Sequence, residues 1–420
     1  MKMLIVTAGR YPVPAVKGGA VATLTEYLIK DNEENKVVDL EVVSPYDAKA
    51  KEKAEMYSNA NVHFVKTPVV CNALDFATYK IFTKLRPQKN WVQMRSISAF
   101  GWFILQTALI LKKGQYDAVI FENTARLYYA LSLFGNAKRY QDKVYYHLHN
   151  EPKKLASCRK YIVQSKNVIC ISEYVRASIL SKQSALAFPN RDRTSVLRNC
   201  IDPDLFKPLP RDKIAATRKE WGIAEQDKVI IFSGRIDKEK GILEVLKAFE
   251  KVRSKDVKLL VVGSSFYGMN VKTAFEMEVM TLAQTMKDRI VFTGFVPYSK
   301  MPAIYNAANI AVLPSMWEEP AGMTIIEAMA CGLPVITTRS GGIPEYAGKN
   351  CFLLERNEKI VARIAEKIDE LLCDADGAQK LGEEASLYVR KNFAYNGYMH
   401  RMYEIIASAT LNKGENSEHQ

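Results

Sequence analysis

Short β-branched runs alternate with helical stretches along almost the whole 420-residue chain, and this alternation restricts the fold more than any other feature. Strands separated by helix-length segments pair in parallel, because a parallel neighbour is reached only through a crossover. In the first half the spacing predicts strands over 3–7, 37–43, 62–65, 118–121, 144–148, 168–171 and 195–197. Helices are expected over 20–30, 92–112, 125–134 and 173–182. The stretch 201–227, with Pro203, Pro208, Pro210 and many charges, reads as a linker. A second series then places strands over 229–233, 258–262, 290–293, 310–313 and 334–337, with helices between them. Length agrees, since 420 residues exceed what one core ordinarily serves. The expectation is an α/β protein with two doubly wound Rossmann-like domains, 1–200 and 227–392, joined by a linker over 201–226. The two sheets are expected to face each other across a cleft that holds ligand at the carboxyl ends of the strands. An amphipathic helix over 395–408 follows, then a polar tail, 414–420, expected to be disordered.

Charge separates the halves. Residues 1–200 hold 30 Lys/Arg against 16 Asp/Glu, whereas residues 201–420 hold 29 against 30, so the excess of +13 belongs to the first half. Within 76–116 there are seven basic residues (Lys80, Lys84, Arg86, Lys89, Arg95, Lys112, Lys113) and no acidic one. Phe76, Tyr79, Phe82, Trp91, Phe100, Trp102 and Phe103 interleave with them. Two readings stand for this stretch: a surface that docks on an anionic bilayer, or a buried core helix, AFGWFILQTALILKK, whose basic end meets water. No helix-turn-helix, RNP or zinc-finger signature accompanies it, so nucleic acid is not expected as a partner. The seven cysteines form no C-x-x-C pair, which argues for a reducing cytoplasm and against a disulfide framework or zinc ribbon. The opening run MKMLIVTAGRYP is too short for a signal peptide or membrane span and reads as a first strand.

Chemistry concentrates where a strand runs through a polar or glycine-bearing turn into a helix. In AVLPSMWEEPAGMTIIEAMACGLPVITTRSGGIPE, Glu319 and Glu327 stand seven residues apart around the Pro320–Gly322 turn, with Ser340-Gly341-Gly342 downstream. That spacing puts one acid in a loop at a helix mouth and the other about a turn inside, beside free backbone N–H groups suited to phosphate. In IIFSGRIDKEKGILEVLKAF, Gly234 allows close backbone approach while Arg235 and Lys240 offer cations for a diphosphate. Gly18 and Gly19 stand at the mouth of the first helix as a further anion nest. In VYYHLHNE, His147 and His149 share one face of a strand end, where His149 is expected to donate to a substrate oxygen. No third ligand stands near them in sequence, so no metal is expected. Asp202-Pro203-Asp204 lies in the turn-rich linker and reads as turn chemistry. P-loop, G-x-G-x-x-G, G-x-S-x-G and H-E-x-x-H motifs are all missing.

Taken in order over residues 3–408, these motifs resemble the retaining, nucleotide-sugar-dependent glycosyltransferases of family four, with the GT-B fold. The resemblance is carried by Gly18-Gly19, His149, Ser172-Glu173, VLRNCIDPDLFKP, SGRIDKEKG, FTGFV, PSMWEEPAGMTIIEAMACGLPVI and SGGIPE. It implies that Gly234, Arg235, Lys240 and the helix N-terminus at Gly322, Met323 and Thr324 hold the donor diphosphate. Glu327 would then take the ribose hydroxyls, Glu319 the transferred sugar, and the backbone at Phe295 and Val296 the base. His149 would face the donor sugar, and Gly18-Gly19 would line the phosphate or acceptor side. Two positions depart from the pattern: Cys200 follows Asn199 where Gly is usual, and Ala321 follows Pro320 where a bulkier aromatic is usual. The resemblance also implies a returning C-terminal helix, a donor-binding C-terminal domain and an acceptor-binding N-terminal one. The implied activity is transfer from a nucleotide-sugar, UDP-sugar favoured, to a saccharide or lipid-linked saccharide of surface polysaccharide or cell wall. The enzyme would be cytoplasmic and peripheral at the inner face of the plasma membrane, with no cofactor and no metal. A nucleotide-sugar epimerase and an inactive, transferase-like assembly protein are the alternatives.

Overall fold

A computed structural model describes residues 1–85, 96–254, 256–264 and 274–411, with the side chain of Leu411 left aside. Arg86, Lys89, Trp91 and Arg95 of the basic stretch, the start of the expected 92–112 helix, and the tail 414–420 lie outside these residues. The chain divides into two compact units, Met1–Arg198 with Tyr395–Gln420, and Asn199–Ala394.

The first unit is built on a sheet of seven parallel strands: β1 (Lys2–Val6), β2 (Asp39–Pro45), β3 (Ala60–Val65), β4 (Ala118–Glu122), β5 (Val144–Leu148), β6 (Asn167–Cys170) and β7 (Thr194–Val196). Their order is β3-β2-β1-β4-β5-β6-β7, so the winding reverses between β1 and β4. The central strands are apolar on both faces, as helix-covered parallel strands must be; Met3–Val6 and Ala118–Phe121 are fully buried. The last helix, Tyr398–Leu411, belongs to this unit although its sequence lies at the other end of the chain. Its entry is held by Asp31, wholly buried, whose carboxylate accepts from Gly397 N and Met399 N, both at 2.7 Å. A carboxylate on the exposed amides of a helix start satisfies donors that have no partner within the helix.

The second unit carries six parallel strands: β8 (Lys228–Ser233), β9 (Val257–Val262), β10 (Ile290–Gly294), β11 (Ile310–Leu313), β12 (Val335–Thr338) and β13 (Phe352–Leu354). They run β10-β9-β8-β11-β12-β13, reversing between β8 and β11. The core on one face packs Val245, Leu246 and Phe249 with Ile364 and Ile368 over the strands. Residues 201–226 are more than the linker expected from their proline and charge. They contain the helix Arg211–Glu220, and buried Arg218 donates from it to the carbonyls of Ala307, Glu225 and Asp227. The Asp202-Pro203-Asp204 turn is as expected, with Asp202 Oδ1 accepting from Asp204 N and Leu205 N.

The described residues of the stretch 76–116 include parts of two helices with opposite characters. Ile97–Lys113 buries Phe103, Ala108 and Leu111 and is a core helix. Val69–Leu85, a helix the sequence reading did not identify, exposes Val70, Leu74, Phe76, Ile81 and Leu85. Buried Asp75 pins it in place by accepting from Ser98 N and Ala99 N at the start of its partner helix. Among the described residues no helix is long and apolar enough to cross a membrane.

Candidate active site

The reversal between β8 and β11 decides which loops meet. In an open parallel sheet, neighbouring loops diverge to opposite faces at the reversal and leave a crevice at the carboxyl ends. Here one loop follows Ser233 and the other follows Leu313, about eighty residues on in sequence but adjacent in the sheet. The first loop runs through Gly234 and Arg235 to a single helical turn, Lys238–Lys240, capped by Asp237, whose carboxylate accepts from Lys240 N at 3.1 Å. The second is stitched to it by Met316 N donating to Glu239 O at 2.8 Å.

Lys240 and Glu319 meet in this crevice, Nζ to Oε2 at 2.5 Å. The same oxygen accepts from Trp317 Nε1 at 3.0 Å and lies 3.4 Å from Ser315 Oγ, so none of these bonds uses Oε1. Ser233, Thr324, Gly322 and Ile343 complete the pocket around the pair. The Glu319 backbone is fixed from the far side: Gly342 N donates to Glu319 O at 2.7 Å, and Glu319 N to Ser340 Oγ at 3.3 Å. The Ser-Gly-Gly segment is thus the clamp for the Glu319 loop.

Gly322, with φ of +89°, turns the chain into the helix Met323–Ala330. The amides of Met323 and Thr324 sit at the start of that helix, where the backbone offers donors and the positive end of its dipole. Glu327 does not line that pocket directly but is linked through Tyr305 to Ser233, which does. It is buried, accepts from the Tyr305 hydroxyl at 3.2 Å, and Tyr305 in turn shares a 2.6 Å hydrogen bond with Ser233 Oγ. Burial pushes its carboxyl up to about 7 from an ordinary 4.5, against hydrogen bonds from Tyr305 and Tyr298 that pull it down. Between those two values the unfolded chain loses this proton while the folded chain keeps it, so folding stability declines as pH rises from 4.5 to 7. At about 1.4 kcal/mol per unit the decline is of the order of 3 kcal/mol. Glu327→Gln is expected to flatten that part of the curve; urea unfolding of both proteins at pH 5 and pH 7.5 measures it, and equal slopes would refute it.

Arg235 does not join Lys240. Its guanidinium is paired with Asp237 at 2.8 Å and Glu239 at 3.3 Å, and its side chain is 41% exposed. Phe295 and Val296 follow β10 at the same sheet edge, Phe295 exposed and Val296 partly so. Ala321 is buried beneath the turn. Trp317, Ser315, Asp237 and Tyr305 were not anticipated from sequence; only Asp237, three residues before Lys240, carries a readable signal, that of a helix N-cap.

In the first unit, Gly18 and Gly19 precede the helix Ala20–Asn35, with φ of +73° and +100°. His147 and His149 share one face, as expected, but the expectation that they lack a third group nearby fails. Glu122, ending the neighbouring strand and paired in register with His147, places Oε1 3.0 Å from His147 Nδ1 and Oε2 2.8 Å from His149 Nε2. All three side chains are buried. Strand register brings them together, and twenty-five residues of sequence separation hid it.

Residues 213–387 match the family model of the glycosyl transferases group 1. This segment is a group 1 glycosyl transferase domain. It contains the Lys240–Glu319 pair, the Gly322 turn and Glu327. Over nearly its whole length, the chain is 26% identical to spore coat protein SA of Bacillus subtilis, across 94% of this chain and 96% of that one. It is 27% identical to the lipopolysaccharide 1,2-N-acetylglucosaminetransferase of Salmonella typhimurium, covering 69% and 72% of the two chains. Among solved structures, Anabaena HepE in complex with UDP and glucose superposes with a TM-score of 0.72 at 18% identity, over 97% of this chain and all of the other. The catalytic domain of Arabidopsis thaliana starch synthase IV gives 0.73 at 15% identity, over 97% and 99%. The fold of the chain is GT-B.

Proposed function

We propose that the chain is a retaining glycosyltransferase that moves a sugar from a nucleotide-sugar, with UDP-sugar favoured, to a lipid-linked saccharide in surface polysaccharide or cell-wall assembly. The observation that carries this reading is the convergence of Lys240 and Glu319 at the mouth of the Met323–Ala330 helix. Cleaving a sugar–phosphate bond builds negative charge on the leaving diphosphate and positive charge on the anomeric carbon. Lys240 and the helix amides stabilise the first; Glu319 holds the sugar's hydroxyls beside the second. The acceptor oxygen attacks from the face the diphosphate leaves, and its proton passes to the departing phosphate oxygen. The charge separation is met by protein groups, so no metal is required of this scheme. Glu327 accepts the ribose hydroxyls, Phe295 and Val296 meet the base, and Arg235 adds a cation at the rim. The names of the relatives support the donor class: HepE is described with UDP, and the Salmonella relative as a GlcNAc-transferase.

The acceptor half is the basic one, and its Val69–Leu85 helix turns an apolar face with Lys80 and Lys84 to solvent. We read this face as the one that meets an anionic bilayer at the cytoplasmic side. Sedimentation with vesicles containing anionic lipid is expected to carry the protein down, and Ile81→Glu with Lys80→Glu to release it; failure of the wild type to sediment would end the membrane reading.

A second reading, a transferase-like assembly protein without activity, is favoured by the full-length likeness to a spore coat protein. Incubation with a panel of nucleotide-sugars separates the possibilities. Transferase activity releases nucleotide, faster with a saccharide acceptor; an epimerase changes the sugar without releasing nucleotide; an assembly protein does neither. A thermal-shift panel of UDP, GDP and dTDP identifies the base, since ligand at about 100-fold over Kd adds about 2.7 kcal/mol.

A further inference from the structure

Glu122, His147 and His149 are the one trio, among the described residues, whose ligating atoms lie close enough together to hold a metal ion. Their geometry is instead that of a hydrogen-bond fork. Each ring nitrogen meets its own carboxylate oxygen, His147 Nδ1 at Oε1 and His149 Nε2 at Oε2, rather than a shared central point. A carboxylate that accepts from two rings through its two oxygens has no proton of its own to give, so the ring nitrogens carry both. Burial alone would push the Glu122 carboxyl up, but its electrostatic interaction with His147 and the two ring hydrogen bonds hold it at about 2. Burial, reinforced by His147, lowers His149 against the pull of Glu122 and so favours the neutral form of that ring.

The backbone holds the ring at the same edge. Asn123, in the left-handed region at φ of +52°, accepts His149 N on its side-chain oxygen at 3.1 Å and donates its own N–H to His147 O at 2.8 Å. Asn enters that region more readily than most residues, and here its side chain fixes the His149 backbone. With Nε2 engaged, a neutral His149 has a bare lone pair on Nδ1, and no described residue donates to it.

We propose that Glu122 is the positioning residue of His149, holding its ring as the Nε2–H tautomer so that Nδ1 accepts a hydrogen bond from a sugar hydroxyl. This reverses the sequence-based expectation, in which His149 donates to a substrate oxygen. It rests on the transferase reading for the identity of the hydroxyl, and on the geometry alone for the tautomer. A site that offers only an acceptor selects ligands bearing a free hydroxyl and rejects deoxy analogues, because the partnerless lone pair is costly when buried.

The test is long-range proton–nitrogen NMR on the full chain labelled at histidine nitrogen, with His147→Gln and His149→Gln for assignment. The expected wild-type signal for His149 is a neutral ring protonated at Nε2. In Glu122→Gln the proton is expected to redistribute to Nδ1, and turnover to fall about ten- to hundredfold, with the donor KM within about twofold. A His149 ring protonated at Nδ1 or at both nitrogens in the wild type overturns the proposal. So does metal co-purifying one to one with the chain, or an unchanged kcat in Glu122→Gln. The wild-type spectrum decides the tautomer even if the variant does not fold. A wild type that transfers no sugar from any donor defeats the transferase reading, while the spectrum still decides the tautomer separately.

Discussion

Lys240→Ala is expected to reduce kcat roughly 10²- to 10³-fold, the usual effect of removing one fixed donor from a developing anion. Lys240 is the cation that lines the pocket with Glu319, held there by the 2.5 Å ion pair and by the turn that Asp237 caps. Arg235→Ala is expected to cost less than about tenfold, because that partly exposed guanidinium is committed to Asp237 and Glu239. Glu319→Gln should also act on turnover, since the amide keeps shape and loses charge beside the reacting carbon. Glu327→Gln should act mainly on donor affinity. Steady-state kinetics with a nucleotide-sugar, paired with isothermal titration of the nucleotide, separates these effects. A larger loss at Arg235 than at Lys240 would show that the diphosphate sits on the rim and not in the pocket.

Gly341→Ala is expected to cost about 2–5 kcal/mol of stability and to take the donor site with it. Gly341 has φ of +51°, and a Cβ there would stand 2.2 Å from Glu319 O and 2.8 Å from Glu319 N. Both contacts are backbone, so neither can rotate away. The left-handed conformation adds about 1–2 kcal/mol for any L side chain, and forced overpacking typically adds 1–3 kcal/mol more. Relief requires the Glu319 loop to move outward, which breaks the Gly342 N to Glu319 O hydrogen bond and shifts the carboxylate from Lys240. Thermal unfolding and nucleotide binding should therefore fall together; a variant with wild-type stability and affinity would mean that the Ser-Gly-Gly segment is not the clamp.

How legible each element was depended on where its information lies. The expected strands fall within about two residues of those found, because two-sided burial forces a continuous apolar run. Several elements escaped, among them the helices Ala48–Ala54, Ile360–Cys373 and Ala375–Phe393 and the strand Phe352–Leu354, and two further helices show why. Arg211–Glu220 is polar almost all round and has no apolar stripe to read; a single buried residue, Arg218, ties it to the unit. Val69–Leu85 packs on Ile97–Lys113 yet leaves Val70, Leu74, Phe76, Ile81 and Leu85 exposed, although Thr67-Pro68 before it is a readable start signal. The expected helix over 125–134 shrinks to the 3₁₀ segment Ala125–Ala130.

By itself, the sequence determined the two parallel sheets, the strand-turn-helix segments that carry the site, and the residue types placed there. Those follow from periodicity and local turn chemistry, which act over a few residues. Only the tertiary structure decided which of those residues meet. Lys240 pairs with Glu319 because β8 and β11 are neighbours at the reversal of winding, and Arg235, five residues before Lys240, is turned to the rim. Glu122 reaches both histidines because parallel register sets it opposite His147. Strand order and register are global properties of the packed sheet, settled by which apolar faces cover one another, and no local window of the chain contains them.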